Sequence, residues 1–333
     1  MTSVLLTCAG QRVDVLVAFK LLGARVIVAD LSPVAPTLFH ADLVLSPPPV
    51  DDPGYVDFVA SAVRDHEVEL VVSLADQDQL VLARGRDRLA GATLLLPETG
   101  VIEITRDKYE AHRFFLAGGF DSPPTWLPDD LPEEVPFPVL VKSRYGFGSR
   151  DIHLAREREE LDFFLRYTAV PSIVQRLCEG EEFSIDVFCD LEGRCLNAIP
   201  RTMIESKGGE SIKGRTIKDR RLVELGRDVA EALGIVGPAT IQCYRDERGN
   251  HELTDVNARF GGAFPLPLAA GGAYPELALA LARGERPEPR VGEFHEDVLM
   301  SRFFWQVCVG AADEDAEAPR AETLSELGTV GRP

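Results

Sequence analysis

The sequence lacks the features of a membrane or secreted protein. No apolar run approaches the roughly 20 residues that a membrane-spanning helix needs. The N-terminus, MTSVLLTCAGQR, has no basic segment ahead of a long apolar stretch, as a secretory leader would require. We therefore expect a cytoplasmic protein with no membrane partner.

Cysteine and histidine are too scattered for a zinc site or a disulfide framework. No CxxC pair occurs, and no histidine cluster lies at zinc-ligand spacing from a cysteine. The six cysteines lie in apolar segments, and we interpret them as reduced packing residues: Cys8, Cys178, Cys189, Cys195, Cys243 and Cys308.

Basic residues are also scarce, since 35 Lys and Arg stand against 54 Asp and Glu, a formal net charge of −19. Such a charge repels nucleic acid phosphates and anionic lipid unless a local basic stripe overcomes it, and the sequence contains no such stripe. We therefore expect no nucleic acid partner. Part of the acidic excess lies in residues 311–333, which we predict to form a flexible tail.

What the sequence does contain begins at residues 3–95, where short apolar runs alternate with amphipathic stretches. This spacing predicts a parallel sheet with crossover helices, a small Rossmann-like α/β unit. The first turn, TCAGQR, has one glycine rather than GxGxxG, so a bound dinucleotide is not expected. Asp30 ends the second strand, where a ribose-binding acid would lie. An Asp at a strand end is more often a turn or cap residue, so both roles stay open here.

The pattern changes after two breaks, at Pro97 and at the proline-rich and acidic residues 122–138, which enclose a helical segment over 105–117. From Val139 onward, longer alternating runs predict mainly antiparallel strands, covered by helices over 157–167 and 219–233. The chain is thus expected to be α/β at its start and α+β afterwards.

The most informative segment is TIQCYRDERGNHELTDVNARFGG, residues 240–262, which predicts a hairpin turning at 247–250. Because side chains alternate along a strand, Asp255, Asn257 and Arg259 share one face, and Gln242 lies roughly opposite Asp255. Oxygen ligands of this kind suit Mg²⁺. A solvated hairpin face with an exposed salt bridge explains the same residues, and this segment alone does not decide between them.

Lys142 closes the apolar strand PVLVKS just before a loop with two glycines and Ser149. An ammonium at a strand end can bind phosphates while backbone N–H groups close over them, although a glycine pair alone is usually only a turn. The loop is not a Walker A motif, because no GxxxxGK[ST] occurs.

At this point nearly all of residues 3–300 resembles the ATP-grasp superfamily, most closely single-unit relatives of the carbamoyl-phosphate synthetase large subunit. The resemblance implies an ATP-grasp fold with an N-terminal Rossmann-like (pre-ATP-grasp) domain over 1–97. It also implies a small lobe over 98–178 and a large lobe over 179–310. The cofactors would be ATP and Mg²⁺, with Mn²⁺ as the alternative ion.

The resemblance also implies site residues. Gln242, Asp255 and Asn257 would bind magnesium. The sequence departs from the family pattern at two positions, with Asp255 where the family often has Glu and Ala258 where Pro is frequent. The shorter reach of Asp puts bidentate bridging of two ions in doubt. The remaining residues would bind ATP or line the acceptor site, unless they form an ordinary acidic turn and a mobile surface loop. For ATP they are Lys108, Lys142, Ser149, Gln175, Arg176, Leu177 and Glu182, and for the acceptor site Arg201, Glu205, Gly209, Glu210 and Lys213.

The function implied is that of a ligase which activates a carboxylate as an acyl phosphate and transfers it to an amine, with Arg259, Lys142 and Arg201 as catalytic residues. Amino-acid-like substrates and a homodimer are expectations from the resemblance alone. The alternatives are carbamoyl-phosphate-synthetase-like or carboxylase-type phosphoryl chemistry, and a non-catalytic ATP-binding sensor subunit.

Overall fold

The computed structural model describes residues 1–146, 151–207, 210–303 and 305–307. The chain divides into two units. The first contains Met1–Leu96 and Ala273–Pro287 together with the described residues from Phe303 onward, and the second contains the described residues of Pro97–Gly272 and Glu288–Arg302. The residues predicted to bind nucleotide and metal all fall in the sequence range of the second unit.

Within the described residues, the strands and helices are as follows in chain order. The strands are β1 (Ser3–Thr7), β2 (Arg25–Ala29), β3 (Leu43–Leu45), β4 (Leu70–Ser73), β5 (Thr93–Leu94), β6 (Thr125–Trp126), β7 (Val139–Ser143), β8 (His153–Ala155), β9 (Ser172–Arg176), β10 (Glu181–Cys189), β11 (Cys195–Thr202), β12 (Glu205–Lys207), β13 (Glu210–Arg215), β14 (Gly237–Arg245), β15 (His251–Asn257) and β16 (Leu299–Ser301). The helices are α1 (Val13–Leu21), α2 (Tyr55–Asp65), α3 (Asp76–Arg84), α4 (Thr99–Arg106), α5 (Lys108–Ala117), α6 (Arg158–Tyr167), α7 (Arg220–Leu233), α8 (Pro265–Ala269) and α9 (Tyr274–Ala282).

The first unit is built on a parallel sheet with strand order β3-β2-β1-β4-β5. β1 and β4 are largely apolar and buried along their whole length, as expected of parallel strands covered on both faces. The chain passes from one side of β1 to the other between β3 and β4, which is a Rossmann-like arrangement. The α/β prediction for residues 3–95 is confirmed.

The turn after β1 shows what Asp30 does. One carboxylate oxygen of Asp30 accepts a hydrogen bond from the backbone N–H of Gly10 at 2.7 Å, and the other accepts from Ser32 at 2.8 Å. Gly10 has a φ of +49°, a region that favours glycine. Asp30 therefore fastens the turn after β1 to the end of β2, as expected of a turn residue.

The described residues of the second unit form three antiparallel sheets. We call the sheet with strand order β11-β10-β14-β15 the central sheet, and the sheet with order β6-β9-β7-β8 the side sheet. Helix α7 packs on the central sheet and α6 on the side sheet. A shorter sheet, β12-β13-β16, is formed by the polar segment that follows β11 and by the chain near residue 300. The antiparallel prediction for the chain after Val139 is confirmed.

Helix α7 covers one face of the central sheet because β10, EEFSIDVFC, places its apolar side chains on that face. Gly226 lets the helix approach closely, since an added Cβ would lie 2.4 Å from Cγ2 of Ile185. The helix begins where the Asp219 carboxylate accepts hydrogen bonds from two backbone N–H groups, and it ends at Gly234 with a φ of +75°. The opposite face carries polar side chains, among them Glu182, Ser184 and Asp186 of β10.

Candidate active site

A row of polar residues crosses the central sheet from strand to strand. Gln242 on β14 pairs with Asp255 on β15, which confirms the predicted hairpin register. Gln242 also pairs with Ser184 on β10, and Ser184 pairs with Arg201 on β11. Because directly paired residues point to the same side of a sheet, the four side chains share one face, which we call the polar face.

The alternation predicted for β15 and the residues after it is observed. Val256 is 2 % exposed, and Ala258 and Phe260 are also buried, while Asp255, Asn257 and Arg259 are half-buried on the other side. An Nη2 hydrogen of Arg259 is donated to Oδ1 of Asn257 at 3.3 Å. The structure thus brings the three predicted residues together next to Gln242.

Glu182 lies on the polar face beside Gln242. Its two carboxylate oxygens accept hydrogen bonds from Nε2 of Gln242 at 3.4 Å and from the hydroxyl of Tyr244 at 3.1 Å. Burial raises the pKa of Glu182, against the opposing effects of the Tyr244 hydrogen bond and of Arg201. With the amide nitrogen of Gln242 facing Glu182, its Oε1 is oriented to accept from another donor or to bind a cation.

Lys108 begins α5, where the sequence predicted one helix over 105–117 and the structure has two. Asp107 interrupts the helix because its backbone is extended and its side chain accepts hydrogen bonds from the N–H groups of Tyr109 and Glu110. The cap directs Lys108 toward the central sheet. Its Nζ lies 3.5 Å from Oδ2 of Asp255 and donates to the carbonyl of Gly146 at 2.8 Å.

Lys142 is the most buried of the predicted cations apart from Arg201, at 8 % exposure. Its Nζ donates to Oε1 of Gln175 at 2.8 Å. Burial lowers the pKa of the Lys142 ammonium to about 8, with Asp255 opposing this shift and Lys108 adding to it. The Lys142 ammonium thus lies within electrostatic range of Asp255 and Lys108, and an anionic ligand bound there would stabilise its charged form.

In the strand predicted to hold the adenine edge, Gln175 to Leu177, two backbone N–H groups donate hydrogen bonds within the protein. The N–H of Arg176 donates to the carbonyl of Pro124 at 2.9 Å, and the N–H of Leu177 donates to Pro138 at 3.2 Å. Among the described residues no acceptor is recorded for the next N–H, that of Cys178. These N–H groups of Arg176 and Leu177 hold the side sheet together.

The side chains of this strand are also engaged. Gln175 bridges Lys142 and Thr125, to whose hydroxyl its Nε2 donates at 2.8 Å. The guanidinium of Arg176 pairs with Glu252 and donates to the carbonyl of Leu177. Gln175 therefore orients the ammonium of Lys142.

The predicted acceptor residues fall into two places. Arg201 lies buried on the polar face, where its Nε donates to Oδ2 of Asp186 at 2.7 Å. Glu205 and Lys213 pair with each other across β12 and β13 at 2.7 Å, and both are about half exposed. Three further predicted groups lie outside what the structure describes: Ser149, Gly209 and the side chain of Glu210.

Sequence reasoning missed several residues of the polar face, namely Ser184, Asp186, Thr240 and Tyr244. Asp186 accepts hydrogen bonds from both Arg201 and the hydroxyl of Thr240, the latter at 2.7 Å. The signal that could have found them was present, because polar and apolar residues alternate in EEFSIDVF and in TIQCYR as they do in TDVNARF.

The donor set on β14 and β15 suits magnesium chemically. One carboxylate and two amide oxygens leave coordination positions for water and phosphate oxygens, which is how Mg²⁺ is usually held beside a nucleotide. The described part of the chain has no group of three or more His, Cys, Asp or Glu side chains placed to hold a metal. A magnesium ion here would therefore depend on the amides and on the ligand.

Comparisons with known protein families match two parts of the chain. The family model "ATP-grasp in the biosynthetic pathway with Ter operon" matches residues 168–303, and the model "PylC-like, N-terminal domain" matches residues 4–95. Within the part of the chain covered by the structure, no helix is both long and apolar enough to cross a membrane.

Curated relatives are carbamoyl phosphate synthase large chains. That of Agathobacter rectalis is 29 % identical over an aligned length of 168 residues, and the match covers 46 % of this chain and 15 % of the relative. That of Gemmatimonas aurantiaca is 26 % identical over an aligned length of 245 residues, and the match covers 67 % of this chain and 22 % of the relative. The matches thus span about a fifth or less of the length of these relatives.

Solved structures show the fold. An L-amino acid ligase from Bacillus licheniformis has a TM-score of 0.66 at 20 % identity and covers 85 % of this chain and 74 % of its own. An N5-carboxyaminoimidazole ribonucleotide synthetase from Thermotoga maritima has a TM-score of 0.65 at 17 % identity and covers 87 % and 78 %. The biotin carboxylase domain of a Hydrogenobacter thermophilus 2-oxoglutarate carboxylase, in complex with MgADP, reaches 0.70 at 18 % identity and covers 90 % and 73 %. The predicted ATP-grasp fold with an N-terminal domain, and the relation to the carbamoyl-phosphate synthetase large subunit, are confirmed.

Proposed function

We propose that this member of the ATP-grasp superfamily is an ADP-forming carboxylate–amine ligase. The observation that carries the proposal is the polar face of the central sheet. Gln242 and Asp255, which we assign to a divalent ion, lie at its β14–β15 end with Lys108 beside Asp255. A buried arginine, Arg201, lies at the other end of the same row. A phosphate donor and an anionic acceptor can therefore lie next to each other on one surface.

The roles we assign follow from charge and position. Gln242, Asp255 and Asn257 would hold magnesium, which when bound supplies charge neutralisation for the β- and γ-phosphates. Lys108 and Lys142 would bind phosphate oxygens, and Arg259 would stabilise charge on the phosphoryl group in transfer. Glu182 and the chain from Gln175 to Cys178 would face the nucleoside.

The reaction we propose balances in two steps. A carboxylate oxygen of the substrate attacks the γ-phosphorus and the bond to the β-phosphate oxygen breaks, which gives an acyl phosphate and ADP. An amine then attacks the acyl carbon, phosphate leaves, and the amine nitrogen loses a proton to form the amide. The L-amino acid ligase of similar fold favours amino acids as the first substrates to test.

Product analysis tests this proposal directly. The purified chain is incubated with Mg·ATP and a panel of amino-acid pairs, and nucleotides are separated while products are identified by mass spectrometry. We expect ADP and phosphate in amounts equal to the amide formed. AMP with pyrophosphate would reject the acyl-phosphate route, ADP formation stimulated only by bicarbonate would indicate carboxylase-type chemistry, and no turnover would indicate a sensor.

A further inference from the structure

Two buried polar atoms on the polar face have no hydrogen-bond partner among the residues that the structure describes, Nη1 of Arg201 and Oγ of Ser184. Arg201 is 3 % exposed and Ser184 is 0 % exposed. The two residues pair directly across β11 and β10, so their side chains start from neighbouring points on the same face. Buried donors are rarely left unpaired, because each forfeits its hydrogen bonds to water.

The guanidinium of Arg201 is held in place from one side. Asp186 accepts from Nε of Arg201 through Oδ2 and from the hydroxyl of Thr240 through Oδ1, both at 2.7 Å. The backbone at Gly261 closes the far side of this cluster, since a Cβ there would lie 2.3 Å from Oγ1 of Thr240 and 3.0 Å from Oδ1 of Asp186. Asp186 therefore has little freedom, and it fixes the direction of the arginine.

The unpaired groups lie next to the proposed phosphate site. Ser184 pairs with Gln242 on the neighbouring strand, and Arg201 lies one strand further. With strands about 4.8 Å apart, Arg201 and Gln242 are separated by roughly 10 Å of sheet. A small acid held at Arg201 and Ser184 can thus extend its reacting oxygen toward a phosphoryl group above Gln242.

We propose that Nη1 of Arg201 and Oγ of Ser184 form the subsite for the carboxylate group of the acid substrate, and that Asp186 is the positioning residue which directs Arg201 toward it. This inference rests on the proposed function and specifies its acceptor site. Because Asp186 already balances the charge of Arg201, the subsite recognises its ligand mainly through directed hydrogen bonds. Such a site suits a singly charged carboxylate better than a doubly charged phosphate.

Binding of [13C]acetate to the full chain, saturated with Mg·ADP and followed by NMR, tests the subsite without turnover. We expect saturable binding to the wild type. Arg201→Lys, which loses the forked geometry, should weaken acetate binding about tenfold or more, and Ser184→Ala about three- to tenfold. Ile185→Val, on the same strand but facing α7, is the matched control and should leave acetate binding unchanged.

The positioning role has its own readout. Asp186→Asn should weaken acetate binding, and combining it with Arg201→Lys should add little, because Asp186 acts through the arginine. Additive losses would overturn this role. If Asp186→Asn does not fold, Ser184→Ala, which removes only a hydroxyl, still tests the subsite.

Failure of the subsite and failure of the proposed function give different results. The subsite proposal is overturned if the wild type shows no saturable acetate binding, or if both Ser184→Ala and Arg201→Lys bind acetate as the wild type does. If acetate binds as expected but no acid in the panel stimulates ADP formation, the subsite stands and the ligase proposal fails.

Discussion

The affinity for nucleotide should depend on pH through Lys142. Burial lowers the pKa of this lysine to about 8, so in the free protein roughly half of the molecules carry a neutral Lys142 at pH 8. The proposed contact with phosphate oxygens requires the charged ammonium form of Lys142. We expect Mg·ADP binding to restore the proton, and the affinity to fall as the pH rises above the pKa of the free protein.

The size of the effect follows from the shift. If only the protonated form binds, the apparent dissociation constant increases about tenfold from pH 7 to pH 9, and about half a proton is taken up per nucleotide at pH 8. The charged or titrating neighbours that act on Lys142 are Asp255, Lys108 and Cys178. The pKa of the Cys178 thiol is raised to about 11 by burial, so this group stays neutral across the range.

Isothermal titration calorimetry at pH 7, 8 and 9 measures both quantities, with two buffers of different ionisation enthalpy at pH 8 to count protons. Lys142→Arg is the matched variant, because a guanidinium stays charged throughout, and its affinity should be nearly independent of pH. An affinity of the wild type that is flat from pH 7 to pH 9, or no proton uptake at pH 8, would refute the reasoning.

Three further predictions concern the metal, the transferred group and the packing beneath the site. Asp255→Asn should raise the Mg²⁺ concentration needed for half-maximal activity. The control Val256→Ala, whose side chain faces the core, should lower the free energy of unfolding by roughly 2 kcal/mol and leave the Mg²⁺ requirement unchanged. If Val256→Ala changes the Mg²⁺ requirement and Asp255→Asn does not, the metal lies elsewhere. Arg259→Ala should lower kcat by about 10² or more in steady-state assays at saturating Mg²⁺, and a loss confined to KM would contradict a role in the transition state. Gly226→Ala should destabilise by about 1–3 kcal/mol in denaturant titrations, because the methyl collides with β10, while Gly100→Ala, which meets nothing within 4 Å, should be neutral or stabilising.

Much of the site was predictable because strand alternation is a local property. The residues from Asp255 to Arg259 alternate between polar and apolar, and the turn at 247–250 brings Gln242 opposite Asp255. A short hairpin has few alternative registers, so sequence spacing was sufficient to place these side chains.

The pairings of β10 with β11 and β14 were less accessible from sequence. Ser184 and Gln242 are separated by more than fifty residues, and Arg201 reaches its place opposite Ser184 only through the pairing of β10 with β11. No local pattern states which strands of an antiparallel sheet lie side by side. The hydrogen bonds from the N–H groups of Arg176 and Leu177 to the carbonyls of Pro124 and Pro138 are also long-range contacts that no local pattern states, and the adenine role of Gln175 to Leu177 stays a prediction.

The balance of charges around the polar face differs from the net charge of the whole chain. The formal net charge is −19, which would repel the nucleotide that the site is proposed to bind. Around the polar face, however, four of the cations predicted for the site accompany three carboxylates. These cations are Lys108, Lys142, Arg201 and Arg259, and the carboxylates are Glu182, Asp186 and Asp255. Because charges buried at such short range are screened far less than surface charges, the local set rather than the net charge determines whether an anionic ligand binds.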